Sequence, residues 1–128
     1  MKRLLAALAL CLWTGWALSQ AAYPNKAVRI IVPFPAGQTT DVVARALAQQ
    51  FSDSTGQNFF VDNKGGAAAI IGTEAAKNST ADGYTLLMAS SGPLAINPTL
   101  YSKLPYDTLK DFEAIGMLVT VAQFLVAN

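Results

Sequence analysis

Apolar and polar residues alternate along this chain in segments that predict strands and helices in turn. Residues 28–33 form a run that is apolar apart from Arg29, which is typical of a buried strand. Val43, Leu47 and Phe51 then recur every four residues, so they lie on one face of a predicted helix, and Ala44 and Ala48 fill the same face. Gly56 ends that helix, because glycine readily adopts the left-handed conformation found after a helix.

The same reading predicts two further strand–helix steps. Residues 58–62 form a short second strand, followed by a glycine-rich turn at residues 65–66 and a helix over about residues 68–78. A turn at residues 82–83 leads to a third buried strand over residues 84–89. A short helical stretch then extends to about Tyr101.

The order strand, helix, strand, helix, strand predicts an α/β fold, with a parallel sheet and helices on both faces. Residues 114–121 and 124–127 are predicted as two further strands. Ligands of such folds bind outside the carboxyl ends of the strands. The loops over residues 33–41 and 89–97 lie there, and are therefore the first places to look for a site.

The amino terminus differs from the rest of the chain. Two basic residues, Lys2 and Arg3, precede an uncharged apolar run over residues 4–13, and small and polar residues follow. This is the three-part layout of a secretory signal peptide, with cleavage expected between Ser19 and Ala22. We therefore divide the chain into a signal peptide, 1–21, and a partial solute-binding lobe, 22–128.

Two alternatives to a cleaved signal are a retained membrane anchor and a lipoprotein. The apolar run is short for an anchor, because a spanning helix needs about 20 apolar residues. Cys11 lies inside the apolar run and follows the bulky Leu10, which disfavours lipid attachment. Cys11 is the only cysteine, so the mature part has no disulfide and must be held by its core.

Composition excludes several classes of function. The chain has no histidine, which excludes a Ser-His-Asp triad, a Cys-His pair and a histidine-ligated metal site within these residues. The chain has nine basic and eight acidic residues, and no basic patch in the sequence indicates binding to nucleic acid or to a membrane surface. We predict no catalytic residues, no metal and no cofactor.

The loop over residues 33–41 has the chemistry of an anion site. Gly37 permits a turn and close approach of the backbone, and the helix that follows presents free N–H groups and the positive end of its dipole. Hydroxyls of Thr39 and Thr40 can add donors. The alternative is that these residues only cap the helix, and for Asp41 alone capping is the favoured interpretation. Arg45, four residues on, is expected to pair weakly with Asp41 on the outer face.

The loop over residues 89–97 is also rich in hydroxyl groups, and neither loop contains Lys or Arg. Neutral donors of this kind suit a small carboxylate, although an ordinary turn explains the second loop equally well. A dinucleotide fingerprint is disfavoured, because Gly37 is the only glycine in the first loop, although Asp62 follows at a suitable position. The phosphate-loop and nucleophile-elbow motifs are absent.

Several spaced motifs, read in order, resemble one family of bacterial receptors. They cover essentially the whole mature chain and comprise Tyr23-Pro24, residues 28–37, Thr40-Asp41, Ala44-Arg45, residues 61–64, Gly72, residues 81–87, residues 95–98, Leu100-Tyr101, residues 104–107 and residues 110–112. The family is that of the tripartite tricarboxylate transporter substrate-binding proteins, also called the Bug family of periplasmic receptors.

The resemblance implies a type II-like periplasmic binding protein with two lobes and a ligand cleft between them, acting as a monomer and delivering a small carboxylate to the membrane subunits of a tripartite tricarboxylate transporter. It implies no enzymatic activity. It also implies that two loops of the first lobe hold the ligand, and the matching positions are Ala36, Gly37, Thr39, Thr40, Asp41, Ser90, Ser91 and Asn97. Where such a ligand is an amino acid, Asp41 is the candidate partner of its ammonium group.

Two departures from the family pattern affect these expectations. Gln38 occupies the position where the family often has a second glycine. Its side chain either narrows the first loop or adds a donor there, so ligand specificity is expected to differ from that of the family pattern. Family members are also much longer, so we expect this chain to provide a truncated first lobe. Two alternatives to a working receptor part are a remnant that folds without binding a ligand, and an enzyme that acts on a carboxylate.

Overall fold

The computed structural model describes residues 23–122, 125 and 127. The predicted signal peptide lies outside the described residues. The elements, numbered in chain order, are β1 (Val28–Val32), α1 (Thr39–Thr55), β2 (Phe59–Asn63), α2 (Ile70–Lys77), β3 (Thr85–Leu87) and α3 (Asn97–Leu100). A 3-10 turn over Ala67–Ala69 precedes α2, and a π-helical turn over Gly92–Ile96 precedes α3.

The described strands form one parallel sheet in the order β2-β1-β3. Val28 pairs with Phe59 at the start of β2, and Ile30 pairs with both Val61 and Leu86. The central position of β1 explains why it is apolar apart from the half-buried Arg29, because a strand covered on both faces buries nearly all of its side chains. The α/β class with a parallel sheet is confirmed.

Helices lie on both faces of this sheet. Alternate residues of a strand point to opposite faces, so Val28, Ile30 and Val32 face α1, whereas the fully buried Ile31 faces the side on which α2 contacts β1 and β3. Burial of each of these aliphatic side chains contributes up to about 1.5–3 kcal/mol. The buried cluster on the α1 side is formed by Val28, Ile30, Val32, Ala44, Ala48 and Phe59.

The buried face of α1 agrees with the predicted one at its two alanines and differs at its large apolar residues. Ala44 and Ala48 are buried, whereas the side chain of Phe51 is 38% exposed and its ring packs on Phe59 at a centroid distance of 5.3 Å. The small alanines let α1 approach the sheet closely, so that the bulkier residues lie at the margin of the contact. Asp41, predicted on the outer face, is buried, because its carboxylate has hydrogen-bond partners inside the fold.

The later strand predictions were partly wrong. β3 is shorter than predicted and half-buried, since it lies at an edge of the described sheet. The predicted strand over residues 114–121 is not formed: the segment is exposed and pairs with no described strand, and a strand without a partner has no ladder to stabilise it. The predicted strand over residues 124–127 includes residues outside those described.

The residues just before β1 are tied to the turn that precedes β3. The Tyr23 hydroxyl donates to the Gly83 carbonyl at 2.7 Å, and the Lys26 ammonium lies 3.1 Å from the Asp82 carboxylate. The same ammonium lies 4.2 Å from the centroid of the Tyr84 ring. We call these five residues the amino-terminal latch. It joins parts of the chain 60 residues apart at the amino-terminal edge of the sheet.

The longest described helix is α1, with 17 residues. None of the helices within residues 23–122 combines the length and the hydropathy needed to cross a membrane.

Candidate functional site

Because the strands are parallel, the segments that follow them meet at one edge of the sheet, which we call the carboxyl edge. We name these segments the first loop (33–41), the middle loop (64–69) and the last loop (88–97) after their order in the sequence. β1 is the central strand of the sheet. The first loop, which follows β1, therefore lies in space between the middle loop, which follows β2, and the last loop, which follows β3. This is the edge at which ligands bind in open α/β sheets.

The first loop leads into α1 without a side-chain cap. Gln38 occupies the N-cap position in an extended conformation and makes no capping hydrogen bond, so the prediction that Asp41 caps the helix was wrong. Asp41 lies within the first turn and its carboxylate folds back to accept the Gly37 N–H at 2.8 Å. Gly37 adopts φ +87°, a left-handed conformation that glycine tolerates best.

Asp41 is the centre of a hydrogen-bond network that holds the first loop. One carboxylate oxygen accepts from Gly37 N–H and from Arg45 Nε at 3.0 Å, and the other accepts from Asn63 Nδ2 at 2.9 Å. Asn63 also donates to the Phe34 carbonyl at 3.1 Å. We call these five residues the Asp41 network. It ties both ends of the first loop to the end of β2.

This network lowers the pKa of Asp41 to about 2, from an ordinary value of 3.8. The hydrogen bond from Arg45 is the largest cause, followed by those from the Gly37 N–H and Asn63, and together they outweigh the opposing effect of burial. Asp41 is therefore ionised under all physiological conditions, with its charge compensated by Arg45.

We expect the contribution of Asp41 to stability to disappear in acid. Because the folded-state pKa is depressed, this contribution is complete above about pH 4 and is lost as the pH falls toward about 2. Carbon-13 NMR of the Asp41 carboxyl should give a titration midpoint near 2. Unfolding free energies measured from pH 7 to 2 should fall less steeply for Asp41→Asn than for the unchanged chain, and parallel slopes would contradict this expectation.

The first turn of α1 presents hydrogen-bond donors to solvent. The first helical backbone bond is donated by Val42, so the N–H groups of Thr39 and Thr40 have no partner within the helix. Thr39 is exposed and Thr40 is half-buried. Ala36 and Gly37 are exposed as well, but the Gly37 N–H is already used by Asp41. The Asp41 N–H has no helical partner either, but Asp41 is buried, so Thr39 and Thr40 are the first-turn residues whose N–H groups lie nearer to solvent.

The middle loop was not predicted as part of the site. Ala67, Ala68 and Ala69 all have positive φ, at 46°, 53° and 70°. A left-handed conformation costs a non-glycine residue about 1–2 kcal/mol. Asn97 Nδ2 holds the turn by donating to the Ala68 carbonyl at 2.9 Å, and the Thr73 hydroxyl donates to the Ala69 carbonyl at 2.8 Å. An alanine run gives no sequence signal for this turn, because alanine favours right-handed helix.

The last loop divides into an exposed and a buried part. Ser90 and Ser91 are exposed, as a ligand-binding role requires. Asn97 is only 4% exposed, and its amide bridges to the middle loop. Behind it, the Tyr106 hydroxyl donates to the Pro93 carbonyl at 2.8 Å. The predicted residues thus lie at one edge of the sheet, where Thr39, Ser90 and Ser91 are exposed, Thr40 is half-buried, and Asp41 and Asn97 are buried.

Two surface depressions have linings that include none of Thr39, Thr40, Ser90 and Ser91. One, of about 770 Å³, lies between the segments 94–101 and 104–111. The other, of about 530 Å³, lies beside the latch residue Lys26 and includes Arg29 and Phe60. We place the site at the carboxyl edge because the open donors are there. Within the described part of the chain, no group of three His, Cys, Asp or Glu residues could hold a metal ion.

Solved proteins with a similar fold include a periplasmic transporter. The structure of a periplasmic transporter has a TM-score of 0.67 and 47% sequence identity, and the match covers 70% of this chain and 30% of that one. MatC from Rhodopseudomonas palustris, solved with bound malate, has a TM-score of 0.66 and 31% identity, over 70% of this chain and 31% of its own. The described fold is therefore part of a periplasmic-binding-protein lobe.

Residues 43–128 match the tripartite tricarboxylate transporter family receptors, and the chain belongs to this family. Protein BugT from Bordetella pertussis is 43% identical over 132 aligned positions, which cover 100% of this chain and 40% of BugT. A UPF0065 protein from a Pseudomonas strain is 34% identical, over 98% of this chain and 38% of its own. The chain thus spans about two fifths of these relatives, and the predicted family is confirmed.

Proposed function

We propose that this chain provides ligand-binding residues of the first lobe of a solute receptor that captures a small carboxylate outside the cytoplasm. The observation that carries the proposal is that two loops at the carboxyl edge offer hydrogen-bond donors: the first-turn N–H groups of Thr39 and Thr40, and the hydroxyls of the exposed Ser90 and Ser91. Helix N-termini and hydroxyls bind carboxylates by donating hydrogen bonds to their oxygens.

The charges around this edge favour an anion. The dipole of α1 directs its positive end at the first loop. The nearest negative charge, on Asp41, is neutralised by Arg45 at 3.0 Å and is buried under the loop. An anion at Thr39 and Thr40 therefore meets partial positive charge, and the buried carboxylate repels it little.

Relatives with solved ligands support a carboxylate. MatC was solved with malate. Another R. palustris protein was solved with adipate, and it is 36% identical to this chain with a TM-score of 0.65, over 68% of this chain and 29% of its own. Both ligands carry two carboxylates. We extend this ligand class to the present chain, and we assign the chain no catalytic role.

Titration with malate and adipate tests the proposed function. We expect both ligands to shift the amide NMR signals of Thr39, Thr40, Ser90 and Ser91, with a dissociation constant in the millimolar range or weaker, about 4 kcal/mol or less. We expect low affinity because one lobe forms only one wall of the ligand cleft. The other side of the ligand stays hydrated, so water competes for hydrogen bonds to the ligand oxygens.

The neutral diamide succinamide is the matched control for this titration. It has a similar skeleton without charge, so it should leave these amides unshifted. Saturable micromolar binding would show that one wall is sufficient, and the weak-binding argument would be wrong. Shifts confined to residues away from the carboxyl edge, or none with either dicarboxylate, would overturn the proposed site.

The proposed receptor acts in the periplasm as a monomer and delivers its ligand to the membrane subunits of a tripartite tricarboxylate transporter. A periplasmic receptor must be exported from the cytoplasm, and we expect the predicted signal peptide to be removed during export. We expect amino-terminal sequencing of periplasmic protein to begin at a residue between Gln20 and Ala22. An intact Met1 on the periplasmic protein would contradict cleavage.

A further inference from the structure

The three alanines that precede α2 take a backbone conformation opposed to their own preference. Ala67, Ala68 and Ala69 have φ values of 46°, 53° and 70°, all in the left-handed region. A side chain in that region brings its Cβ too close to the following carbonyl oxygen, and alanine is the residue that most favours right-handed helix. The next residue, Ile70, begins α2. Local preference therefore favours one more turn of α2 over the turn that is formed.

Two of the hydrogen bonds at this turn fit a right-handed helix as well as a left-handed turn. The Ile70 N–H donates to the Ala67 carbonyl, a bond of the kind that is common at helix ends. The Thr73 hydroxyl donates to the Ala69 carbonyl at 2.8 Å. Threonine hydroxyls make this same bond, to the carbonyl four residues earlier, within ordinary helices. Neither bond therefore explains why the left-handed turn is formed.

Among the side chains of the described residues, the Asn97 amide makes the bond that separates the two conformations. Its Nδ2 donates to the Ala68 carbonyl at 2.9 Å. In a longer α2 this carbonyl would accept from the Gly72 N–H instead, because helical carbonyls accept from the residue four places on. Asn97 is itself held in place: it is 4% exposed, and its Nδ2 lies 3.5 Å from the Tyr106 hydroxyl, which donates to the Pro93 carbonyl.

The residues around the turn permit a change of conformation. Gly66 has φ 126° and ψ 157°, a region open essentially to glycine, so it can serve as a hinge. Ala67 and Ala68 are exposed, so their methyl groups leave no packed site when the backbone turns. Each state has its own partner for the Ala68 carbonyl, which is Asn97 in one and the helix backbone in the other. Two discrete arrangements of this kind are what a conformational switch requires.

We propose that residues 67–69 form a two-state switch, in which the Asn97 amide selects the left-handed turn and its withdrawal lengthens α2 by three residues. The start of α2 then advances by about 4.5 Å, at about 1.5 Å per residue. Because Asn97 lies at the end of the last loop, a displacement of the last loop is transmitted to the middle loop. This coupling is a property of the fold and does not depend on the proposed carboxylate.

Backbone NMR of Asn97→Ala tests the switch residue by residue. A residue with positive φ gives an intense cross-peak between its own amide and α protons, because the two protons are then close together. Helical residues instead give strong contacts between successive amide protons and α-carbon signals at helical positions. We expect residues 67–69 to show the first pattern in the unchanged chain and the second in Asn97→Ala.

Addition of Ala68→Gly to Asn97→Ala should restore the left-handed turn. Glycine has no Cβ cost at positive φ and disfavours helix, so the ratio of left-handed to helical turn should rise by at least about tenfold. Ala76→Gly, in the right-handed part of α2, is the matched control and should leave the signals of residues 67–69 where Asn97→Ala placed them. A mere loss of packing at Asn97 would not be reversed by removing one methyl group from an exposed residue.

Ala68→Val tests the switch without removing Asn97. A β-branched residue is rarely tolerated at positive φ, so the signals of residues 67–69 should move in the same direction as in Asn97→Ala. Because residue 68 is exposed, this variant decides the question even where Asn97→Ala does not fold. Retention of the left-handed pattern in Ala68→Val, or in folded Asn97→Ala, would overturn the inference. Disordered signals at residues 67–69, or no rescue by Ala68→Gly, would also overturn it.

Discussion

Gly72→Ala is expected to lower the free energy of unfolding by about 1–3 kcal/mol. Gly72 lies in α2 where this helix touches the starts of the first and middle loops. A Cβ at this position would lie 2.5 Å from the Lys64 carbonyl oxygen and 2.6 Å from Pro33 Cα. These contacts are with backbone, so a side-chain rotation cannot relieve them. Alanine favours helix over glycine by about 1 kcal/mol, and we expect the clash to exceed this gain.

Gly116→Ala is the control for this substitution. A Cβ at Gly116 would have no heavy atom within 4 Å, so stability should change by no more than about 0.5 kcal/mol. Both variants are compared with the unchanged chain by urea unfolding followed by circular dichroism. The Thr39 and Thr40 amide signals should also move in Gly72→Ala, because α2 must withdraw from the first loop. Equal unfolding midpoints for the two variants would show that α2 lies farther from the loops.

Asn63→Ala is expected to destabilise the chain by about 2 kcal/mol. The substitution removes the donor to the Phe34 carbonyl and one of the donors to the Asp41 carboxylate. It also removes the oxygen that accepts from the Arg45 guanidinium at 3.0 Å. The exposed Asn78, at the end of α2, provides the control, and Asn78→Ala should change stability by less than about 0.5 kcal/mol.

Asn63→Asp sharpens this prediction without changing the size of the side chain. A carboxylate would replace the amide that lies 2.9 Å from Asp41, so two like charges would meet and the pKa of the pair would rise. At pH 7 we expect this variant to be less stable than Asn63→Ala, and to regain stability relative to it as the pH falls toward 4. Stability curves for the two variants that run parallel with pH would argue against a direct contact between residues 63 and 41.

The sequence predicts the frame of this fold because hydrophobic periodicity and chain breakers are local signals. The apolar run of β1 and the glycine after α1 appear where they were expected, at Val28–Val32 and Gly56. Parallel pairing follows from the alternation of strands and helices. The failed strand over residues 114–121 shows the limit of this reasoning, because an apolar run forms a strand only where another strand can pair with it.

Roles that depend on long-range contacts could not be inferred. Asp41 was expected to cap a helix or contact a ligand, and its partner Asn63 lies 22 residues away in the sequence. Asn97 stays a predicted ligand-binding residue, and no sequence signal indicated that its amide donates to the Ala68 carbonyl, 29 residues away. The side-chain chemistry of these residues suits either role equally well. Only the folded geometry decides whether such a group faces the ligand or supports the residues that do.

The amino-terminal latch determines where a label or fusion partner can be attached without disturbing binding. It lies where β1 and β3 begin, and the candidate site lies where they end. A strand of five residues is about 17 Å long, so the two edges are separated by roughly the length of β1. A fluorophore or surface tether placed ahead of Tyr23 would therefore emerge on the side away from the ligand, and immobilisation through this end would leave the carboxyl edge open to solution.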